Sequence, residues 1–241
     1  MSGRNPILCA IDTPDAGAAR HLAEAVGPFV GGIKLGLEFF TANGPEAVRL
    51  VAGAAPLFLD LKLHDIPNTV AGAVRAVAPL EPALLTIHCA GGAAMMKAAA
   101  AAADAAAPGG NRRMKMIGVT VLTSLNDDDL LSVGQNGPAL DQARRLAALA
   151  RQAGLDGVVC SPHEVAALRR DCGAGFLLVV PGIRPTGIEQ ADAAREDDQK
   201  RVMTPRQALA AGADYLVIGR PITAARDPAA AASAIQAEIA S

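Results

Sequence analysis

Residues 56–62 read PLFLDLK, an apolar run that carries two charged side chains near its end. Runs of this kind recur along the chain, and most are followed by a helical pattern; the eight runs span 6–12, 31–36, 56–62, 83–88, 115–122, 155–161, 176–183 and 213–220. Near-continuous apolar runs, without alternation of apolar and polar residues, are typical of parallel strands buried on both faces. Eight β–α units in 241 residues therefore predict a TIM (β/α)8 barrel, formed as a single domain over residues 1–241.

A doubly wound open sheet is the structural alternative to a barrel. Such a sheet would need fewer strands or a glycine-rich turn after the first strand, and residues 11–17, IDTPDAG, lack the GxGxxG pattern. The segments between the runs carry helical signals, as in residues 141–154, where Gly154 is predicted as the C-terminal cap. We see no linker or shift in composition that would divide the chain.

Composition and charge narrow the class of partner. The chain is 51% hydrophobic and 19% charged, and its net charge of −2 gives no basic surface for nucleic acid or a membrane. We expect no signal peptide, and no stretch of about 20 apolar residues lacks a charge or a helix breaker. The four cysteines show no CxxC spacing, which favours small buried side chains in a reducing, cytoplasmic protein; they are Cys9, Cys89, Cys160 and Cys172.

Polar side chains end most of the predicted strands. In a TIM barrel the carboxyl ends of the strands and the loops after them build the active site, so residues far apart in sequence converge on one opening. Two of these loops, 123–138 and 184–205, are long and polar, and we expect them to be structureless and to act as lids. The strand-end residues are Asp12, Lys34, Asp60, Lys62, His88, Thr123, Arg184 and Arg220.

Asp60 and Lys62 lie two residues apart on one predicted strand, so both side chains point into the barrel. Lys34 can reach the same space from the neighbouring strand, and Asp65 follows in a loop stiffened by the Ile66–Pro67 pair. In this set each cation has an anionic neighbour, which favours the charged form of both. We therefore predict a protonated lysine that serves as fixed cation and proton donor, whereas a Schiff-base lysine needs a lowered pKa. A structural ion-pair network at the barrel rim is the alternative.

The last run ends in IGRP, which is a candidate anion site. Backbone N–H groups of Gly219 and Arg220, at the start of a short helix, can bind a phosphate, and the loops after strands seven and eight are the usual phosphate position in this fold. Arg184 in PGIRP ends the seventh run and can reach the same anion. A Gly-Arg-Pro turn with a solvated arginine is the alternative.

Four further polar residues have two interpretations each. Asp12 would bind a ribose hydroxyl or cap the next segment, and Thr69 would belong to the site or be a helix N-cap. Thr123 and Ser124 would hydrogen-bond the polar edge of a ring or form a turn.

The histidines give no metal signal. His21 and His163 are predicted on helix surfaces, whereas His64 and His88 are predicted to support the rim of the barrel. Because no pair of histidines has metal-ligand spacing, we predict no metal site.

Six segments together resemble the orotidine 5′-phosphate decarboxylase family of the bacterial type: FLDLKLHDIPNTV, TVLTS, GLDGVVCS, PGIRP, DDQKRVMTP and DYLVIGRPIT. The similarity runs from ILCAID to IGRPIT, nearly the whole chain, in the order of the family. D-x-K-x-x-D followed by I-P-N-T is highly specific, and the GIRP and IGRP signatures support it independently. The resemblance implies a TIM-barrel homodimer that converts orotidine 5′-monophosphate into UMP and CO₂ without a metal or an organic cofactor.

The resemblance also implies catalytic roles. Lys62 would be the proton donor, flanked by Lys34 and Asp60. Asp65 and Thr69 would reach across the dimer interface into the neighbouring site.

Substrate contacts follow from the same resemblance. One position departs from the family pattern: Thr186 stands where some relatives carry Gln after GIRP, so Gln199 takes that ligand role. The implied contacts are Asp12 and Lys34 at the ribose, Thr123 and Ser124 at the pyrimidine, Arg184, Gln199, Gly219 and Arg220 at the phosphate, and Asp60, Asp65, Ile66, Thr69 and Pro181 elsewhere in the site.

Three other functions remain open on the sequence. A magnesium-dependent 3-keto-gulonate 6-phosphate decarboxylase of the same barrel group shares D-x-K-x-x-D, although the HDIPNT continuation argues against it. A Schiff-base aldolase would use Lys62 as its nucleophile. A catalytically silent barrel would bind nucleotides and release no CO₂.

Overall fold

Eight parallel strands form a closed barrel in sequence order, with the last strand paired to the first. The computed structural model describes residues 5–107, 114–135, 137–185 and 202–240. The closed barrel confirms the predicted TIM fold and excludes the open sheet. The strands are β1 Ile7–Ile11, β2 Gly32–Gly36, β3 Leu57–Leu63, β4 Leu84–His88, β5 Lys115–Val119, β6 Gly157–Val159, β7 Leu177–Val180 and β8 Tyr215–Ile218.

Helices follow the strands and cover the outside of the barrel. The second of them breaks at Gly44, whose φ of 73° is left-handed, and continues from Pro45. In the described ranges the helices are α1 Ala16–Val26, α2 Leu37–Ala52, α3 Pro67–Val77, α4 Gly92–Ala105, α5 Asp127–Ser132, α6 Ala139–Gln152, α7 Val165–Cys172, α8 Pro205–Ala211, α9 Arg220–Thr223 and α10 Pro228–Ala240.

The two faces of the strands have different contents, as the alternation of side chains requires. Outward-facing residues pack against the helices in one large apolar core. Inward-facing residues near the amino ends of the strands form a second apolar cluster that closes the bottom of the barrel, made of Leu8, Phe58, Leu84, Ile117, Val179 and Tyr215. Above this apolar layer, toward the carboxyl ends of the strands, the inner faces of β2 and β3 carry the charged residues Lys34 and Asp60.

The loop after β5 is not structureless, so that prediction was wrong. Residues Asp127–Ser132 form α5, because Asn126 and Asp129 make a reciprocal capping box, each side chain accepting the other's backbone N–H. Acidic residues in the first turn add a favourable interaction with the helix dipole. Most of the second predicted lid, 184–205, lies outside the described residues.

Two smaller expectations can be compared with the structure. The helix α6 ends one residue earlier than predicted, with Ala153 as its cap, and Gly154 follows in the left-handed conformation at a φ of 83°. All four cysteines are free and buried.

Among the helices in the described ranges, none has the length and hydrophobicity needed to cross a bilayer.

Candidate active site

A row of alternating charges crosses three neighbouring strands at the open end of the barrel. Oδ2 of Asp60 accepts a hydrogen bond from Nζ of Lys62 at 2.9 Å and lies 3.7 Å from Nζ of Lys34. Lys34 in turn donates to Oδ1 of Asp12 at 2.9 Å. The register of β1, β2 and β3, which pairs Gly36 with Asp60, brings these residues together from three separate segments.

Asp65 does not join this row within one chain. It is exposed, and its Oδ1 accepts the N–H of Ile66 at 2.6 Å. Among the described residues it forms no ion pair; β3 ends at Leu63, and Asp65 lies in the loop that follows. Asp12 therefore takes the outer acidic position that the sequence assigned to Asp65, and the row ends at Lys62.

Burial and the neighbouring charges have opposite effects on the pKa of Asp60. The residue is 8% exposed, and this burial by itself would raise the pKa of its carboxyl group. The nearby charges of Lys34 and Lys62, with hydrogen bonds from Lys62 and Thr86, outweigh burial and hold that pKa below its usual value. Asp60 is consequently ionised at neutral pH and keeps a compact negative charge between two ammonium groups.

The backbone of Lys62 is unusual. Its φ of 50° lies in the left-handed region, which a lysine rarely adopts and which costs about 1–3 kcal/mol. A bulge in β3 produces this conformation, since the pairing with β4 is irregular between Leu59 and Leu63. The Lys62 side chain is 30% exposed, so its ammonium group is held by Asp60 and still reaches the opening.

Thr86 was missed in the sequence. It lies on β4 and is fully buried, and its Oγ1 is 2.9 Å from Oδ1 of Asp60 and 2.8 Å from the backbone nitrogen of Lys62. The signal that could have found it is a polar residue in an apolar strand, two residues before His88 and hence on the same face.

His64 and His88 stack on each other near Lys62, with ring centroids 5.4 Å apart and an interplanar angle of 28°. Nδ1 of His88 is buried without a hydrogen-bond partner among the described residues. Burial, then the charges of His64 and Lys62, lowers the pKa of His88. His21 and His163 are both exposed, as predicted.

Two alternative capping roles are wrong. The helix α1 is capped by Asp15, so Asp12 is left at the barrel opening, where its side chain is 59% exposed. The helix α3 begins at Pro67 after the cap residue Ile66, which places Thr69 inside the first turn, exposed.

Thr123 and Ser124 form a turn, which was one of their two interpretations. The N–H of Leu125 donates to the carbonyl of Leu122 at 3.0 Å and closes this turn. Thr123 is 9% exposed, whereas Ser124 is exposed.

The predicted phosphate residues follow the adjacent strands β7 and β8. Gly219 stands between β8 and the short helix α9, which Arg220 begins. A Cβ atom added at Gly219 would lie 4.0 Å from Oδ2 of Asp12, so this turn borders the charged row.

Arg184 is fixed through its backbone. Its N–H donates to the carbonyl of Met203 at 2.9 Å, and Nη1 donates to the carbonyl of Ile183 at 3.1 Å. Pro181, at the end of β7, is half-buried. Gln199 lies outside the described residues. Across the four described ranges we find no group of three or more His, Cys, Asp or Glu suited to a metal ion.

The chain is similar to known proteins over nearly its whole length. Residues 5–235 match the model of the family described as orotidine 5′-phosphate decarboxylase / HUMPS. A relative from Rhodospirillum rubrum named orotidine 5′-phosphate decarboxylase is 60% identical over 239 residues, which cover 98% of this chain and 94% of the relative. A relative of the same name from Gluconobacter oxydans is 50% identical over 241 residues, the full length of both chains.

A solved structure is also similar. The crystal structure of orotidine 5′-phosphate decarboxylase from Lactobacillus acidophilus superposes with a TM-score of 0.86 at 36% identity, over 98% of this chain and 100% of that one. The match of the family model over most of the chain, together with these relatives, shows that the chain belongs to the orotidine 5′-phosphate decarboxylase / HUMPS family.

Proposed function

We propose that this chain converts orotidine 5′-monophosphate into UMP and CO₂, with Lys62 as the cation and proton donor at C6 of the pyrimidine. The observation that carries the proposal is the Lys62 ammonium group, held 2.9 Å from the buried carboxylate of Asp60 at the open end of the barrel. The names of the relatives support the reaction, and the geometry supports the role of the lysine.

The chemistry explains why such a lysine is needed. Cleavage of the bond between C6 and the carboxylate releases CO₂ and leaves the electron pair on C6 in the plane of the ring, where no π system delocalises it. A preorganised cation in a water-poor pocket stabilises this charge. The Lys62 ammonium group then gives its proton to C6, and the resulting amine regains a proton from water. Asp60 accepts a hydrogen bond from the ammonium group and holds it in position for that transfer.

The remaining predicted residues complete the site in this proposal. Asp12 and Lys34 contact the ribose, and Thr123 and Ser124 meet the pyrimidine. The phosphate lies between the loops after β7 and β8, at Arg184, Gly219 and Arg220, with Gln199 as a further contact. Pro181 contacts the substrate elsewhere in the site.

We further propose a homodimer in which Asp65 and Thr69 of one protomer complete the site of its partner. The segment from His64 to Thr69 is exposed, and Ile66, at 67%, is the most exposed large apolar side chain among the described residues. The carboxylate of Asp65 accepts a hydrogen bond from its own loop and forms no ion pair with Lys62 of the same chain. A partner protomer could therefore bury Ile66 and receive Asp65.

No metal or organic cofactor enters this mechanism, and the buried cysteines fit a reducing compartment such as the cytoplasm. The proposal is tested by the absorbance change as orotidine 5′-monophosphate is consumed, with and without EDTA. We expect turnover that EDTA does not reduce. Loss of activity in EDTA with recovery in magnesium would favour the magnesium-dependent decarboxylase, and UMP binding without CO₂ release would favour the silent barrel.

The role of the lysine is tested with Lys62→Ala. We expect a loss of about 10⁴-fold or more in kcat, because one change removes both a charge-stabilising group and a general acid. The matched control is Lys115→Ala, which removes a lysine paired with Asp156 at the opposite end of the barrel. Activity retained by the Lys62 variant, or borohydride trapping of substrate on Lys62, would contradict the proposed role.

A further inference from the structure

Thr86 connects the two residues on which the proposed chemistry depends. Its hydroxyl lies between Oδ1 of Asp60 and the backbone N–H of Lys62, at 2.9 Å and 2.8 Å. Because an ionised carboxylate only accepts hydrogen bonds and an N–H group only donates them, the hydroxyl donates to Asp60 and accepts from Lys62. One side chain thus fixes a carboxylate and a backbone amide together.

The bulge in β3 explains why this amide needs a side-chain partner. Pairing with β4 passes from Leu59 opposite Leu85 to Leu63 opposite Ile87, so four steps on β3 correspond to two on β4. The N–H of Lys62, in the left-handed conformation, is thereby directed to a side-chain oxygen. A buried amide without a partner is unfavourable, so the hydroxyl of Thr86 stabilises this conformation.

The carboxylate of Asp60 is held at both oxygens. Thr86 binds Oδ1, while Lys62 binds Oδ2 and Lys34 lies close to the same atom. Rotation of the carboxylate would break at least one of these contacts. Since Asp60 in turn positions the Lys62 ammonium group, the hydroxyl of Thr86 acts on that group through the carboxylate and through the backbone.

We propose that Thr86 is a positioning residue for the reaction, one that aims the Lys62 ammonium group at the reacting carbon without touching the substrate. This inference rests on the proposed function. Thr86 is fully buried beneath the charged row, so contact with a substrate in the opening is excluded. Its effect should appear in turnover and in the ionisation of Asp60, and only weakly in substrate binding.

The test compares Thr86→Val, which keeps the shape and removes the hydroxyl, with Thr86→Ser, which keeps the hydroxyl. For the valine variant we expect kcat to fall about 100-fold, the cost typical of a catalytic group misplaced by about 1 Å, and KM to change less than about threefold. The acidic limb of kcat/KM should move to higher pH, because burial raises the pKa of Asp60 and the variant lacks one of the hydrogen bonds that lower it. The serine variant should keep kcat within about tenfold of the parent and leave the limb in place.

The matched control is Thr120→Val. Thr120 is 3% exposed, and its hydroxyl donates to the carbonyl of Val159 at 2.9 Å, so the change removes a buried hydroxyl that is not bonded to Asp60. This control should lose stability while kcat and the acidic limb stay at the parent values.

The outcomes separate the two proposals. A parent that decarboxylates, with a folded Thr86→Val variant that matches it in kcat and pH profile, would overturn the role of Thr86 and leave the proposed function intact. A parent without decarboxylase activity would overturn both. If the valine variant does not fold, Thr86→Cys replaces it, because a thiol keeps the size and donates weakly. The kcat of the cysteine variant should then be lower than those of the parent and the serine variant, without complete loss of activity. Parent-like kinetics of the cysteine variant would overturn the role.

Discussion

Gly36 passes so close to the Lys34 ammonium group that a Cβ atom added at Gly36 would lie 3.2 Å from Nζ. Gly36 ends β2 with φ −103° and ψ −169°, an extended conformation that any residue adopts. The backbone therefore does not require glycine at this position. What requires it is the space occupied by Lys34 between Asp12 and Asp60.

Gly36→Ala should reduce activity without loss of stability. The added methyl group would displace the Lys34 ammonium group by a few tenths of an ångström, and because small displacements in an active site are costly, we expect kcat/KM to fall about tenfold. Thermal unfolding should change little, since alanine fits the backbone and reduces the entropy of the unfolded chain. Steady-state kinetics and a melting curve measure the two effects.

Gly27→Ala is the matched control, because Gly27 has a φ of −49° and an added Cβ there meets nothing within 4 Å. This variant should keep the parent kinetics and melt at the same or a higher temperature. If the two alanine variants had equal kcat/KM, the crowding of Lys34 would have no functional consequence.

The sequence predicted the barrel and part of the charged row for a simple physical reason. Strands buried on both faces are apolar throughout, so a charge such as Asp60 or Lys62 stands out at a strand end. Because strand ends meet at one opening, residues as distant as Lys34 and Arg220 could be assigned to the same region.

The bulge could not be predicted in the same way. A bulge depends on how two strands pair, and the sequence of neither strand indicates this one. The left-handed position holds Lys62, where glycine or asparagine would have been the usual signal. Without the bulge there was no reason to connect Thr86 with Lys62. The helix α5 was missed because it begins with three consecutive aspartates, which suggested a loop although they also suit a helix start.

The proposed dimer predicts that two inactive variants rescue each other. Lys62→Ala lacks the proton donor, and Asp65→Asn lacks the residue that we place in the partner's site. In a heterodimer of the two, one site lacks both groups and the other has both, so random mixing should restore about a quarter of the sites. Activity is measured after the variants are mixed, dissociated and reassociated.

A pair of variants from the same chain position gives the control for this experiment. Lys62→Ala mixed with Lys62→Met should recover nothing, since no combination restores the lysine. If the Asp65 variant mixed with Lys62→Ala also recovered nothing although mixed dimers formed, Asp65 would act within its own chain.

The proposed phosphate site predicts an interaction between Arg220 and one group of the substrate. Arg220→Ala should lower kcat/KM for orotidine 5′-monophosphate about 100-fold, the effect of a lost hydrogen bond between charged groups. For orotidine, which has no phosphate, the same variant should match the parent. The kcat/KM values of the parent and of Arg220→Ala with both substrates give the coupling between Arg220 and the phosphate directly.

Arg206→Ala is the control, because Arg206 is an exposed arginine of α8 whose Nη2 donates to the carbonyl of Glu238. It should leave both substrates unaffected. Equal losses with the two substrates in the Arg220 variant would show that this arginine supports the structure and does not bind the phosphate.

His88 predicts a pH dependence of stability. Burial, then the charges of His64 and Lys62, lowers its pKa from 6.5, so between that lowered value and 6.5 the unfolded chain binds more protons than the folded one. The contribution of His88 is therefore fully present above pH 6.5 and is lost as the pH falls through the folded pKa. The free energy of unfolding in urea, measured at fixed protein concentration, should rise across this window by up to about 1.4 kcal/mol per pH unit.

His88→Asn has no titrating imidazole and should remove this part of the slope, leaving the free energy of unfolding flatter between the folded pKa and pH 6.5 than in the parent. His21→Asn, which replaces an exposed histidine of α1, should keep the parent slope. If the slope were unchanged in the His88 variant, or lost equally in both, the buried imidazole would not be its source. The exposed partner in the stack, His64, would then be the next group to replace, because its charge also acts on this ring.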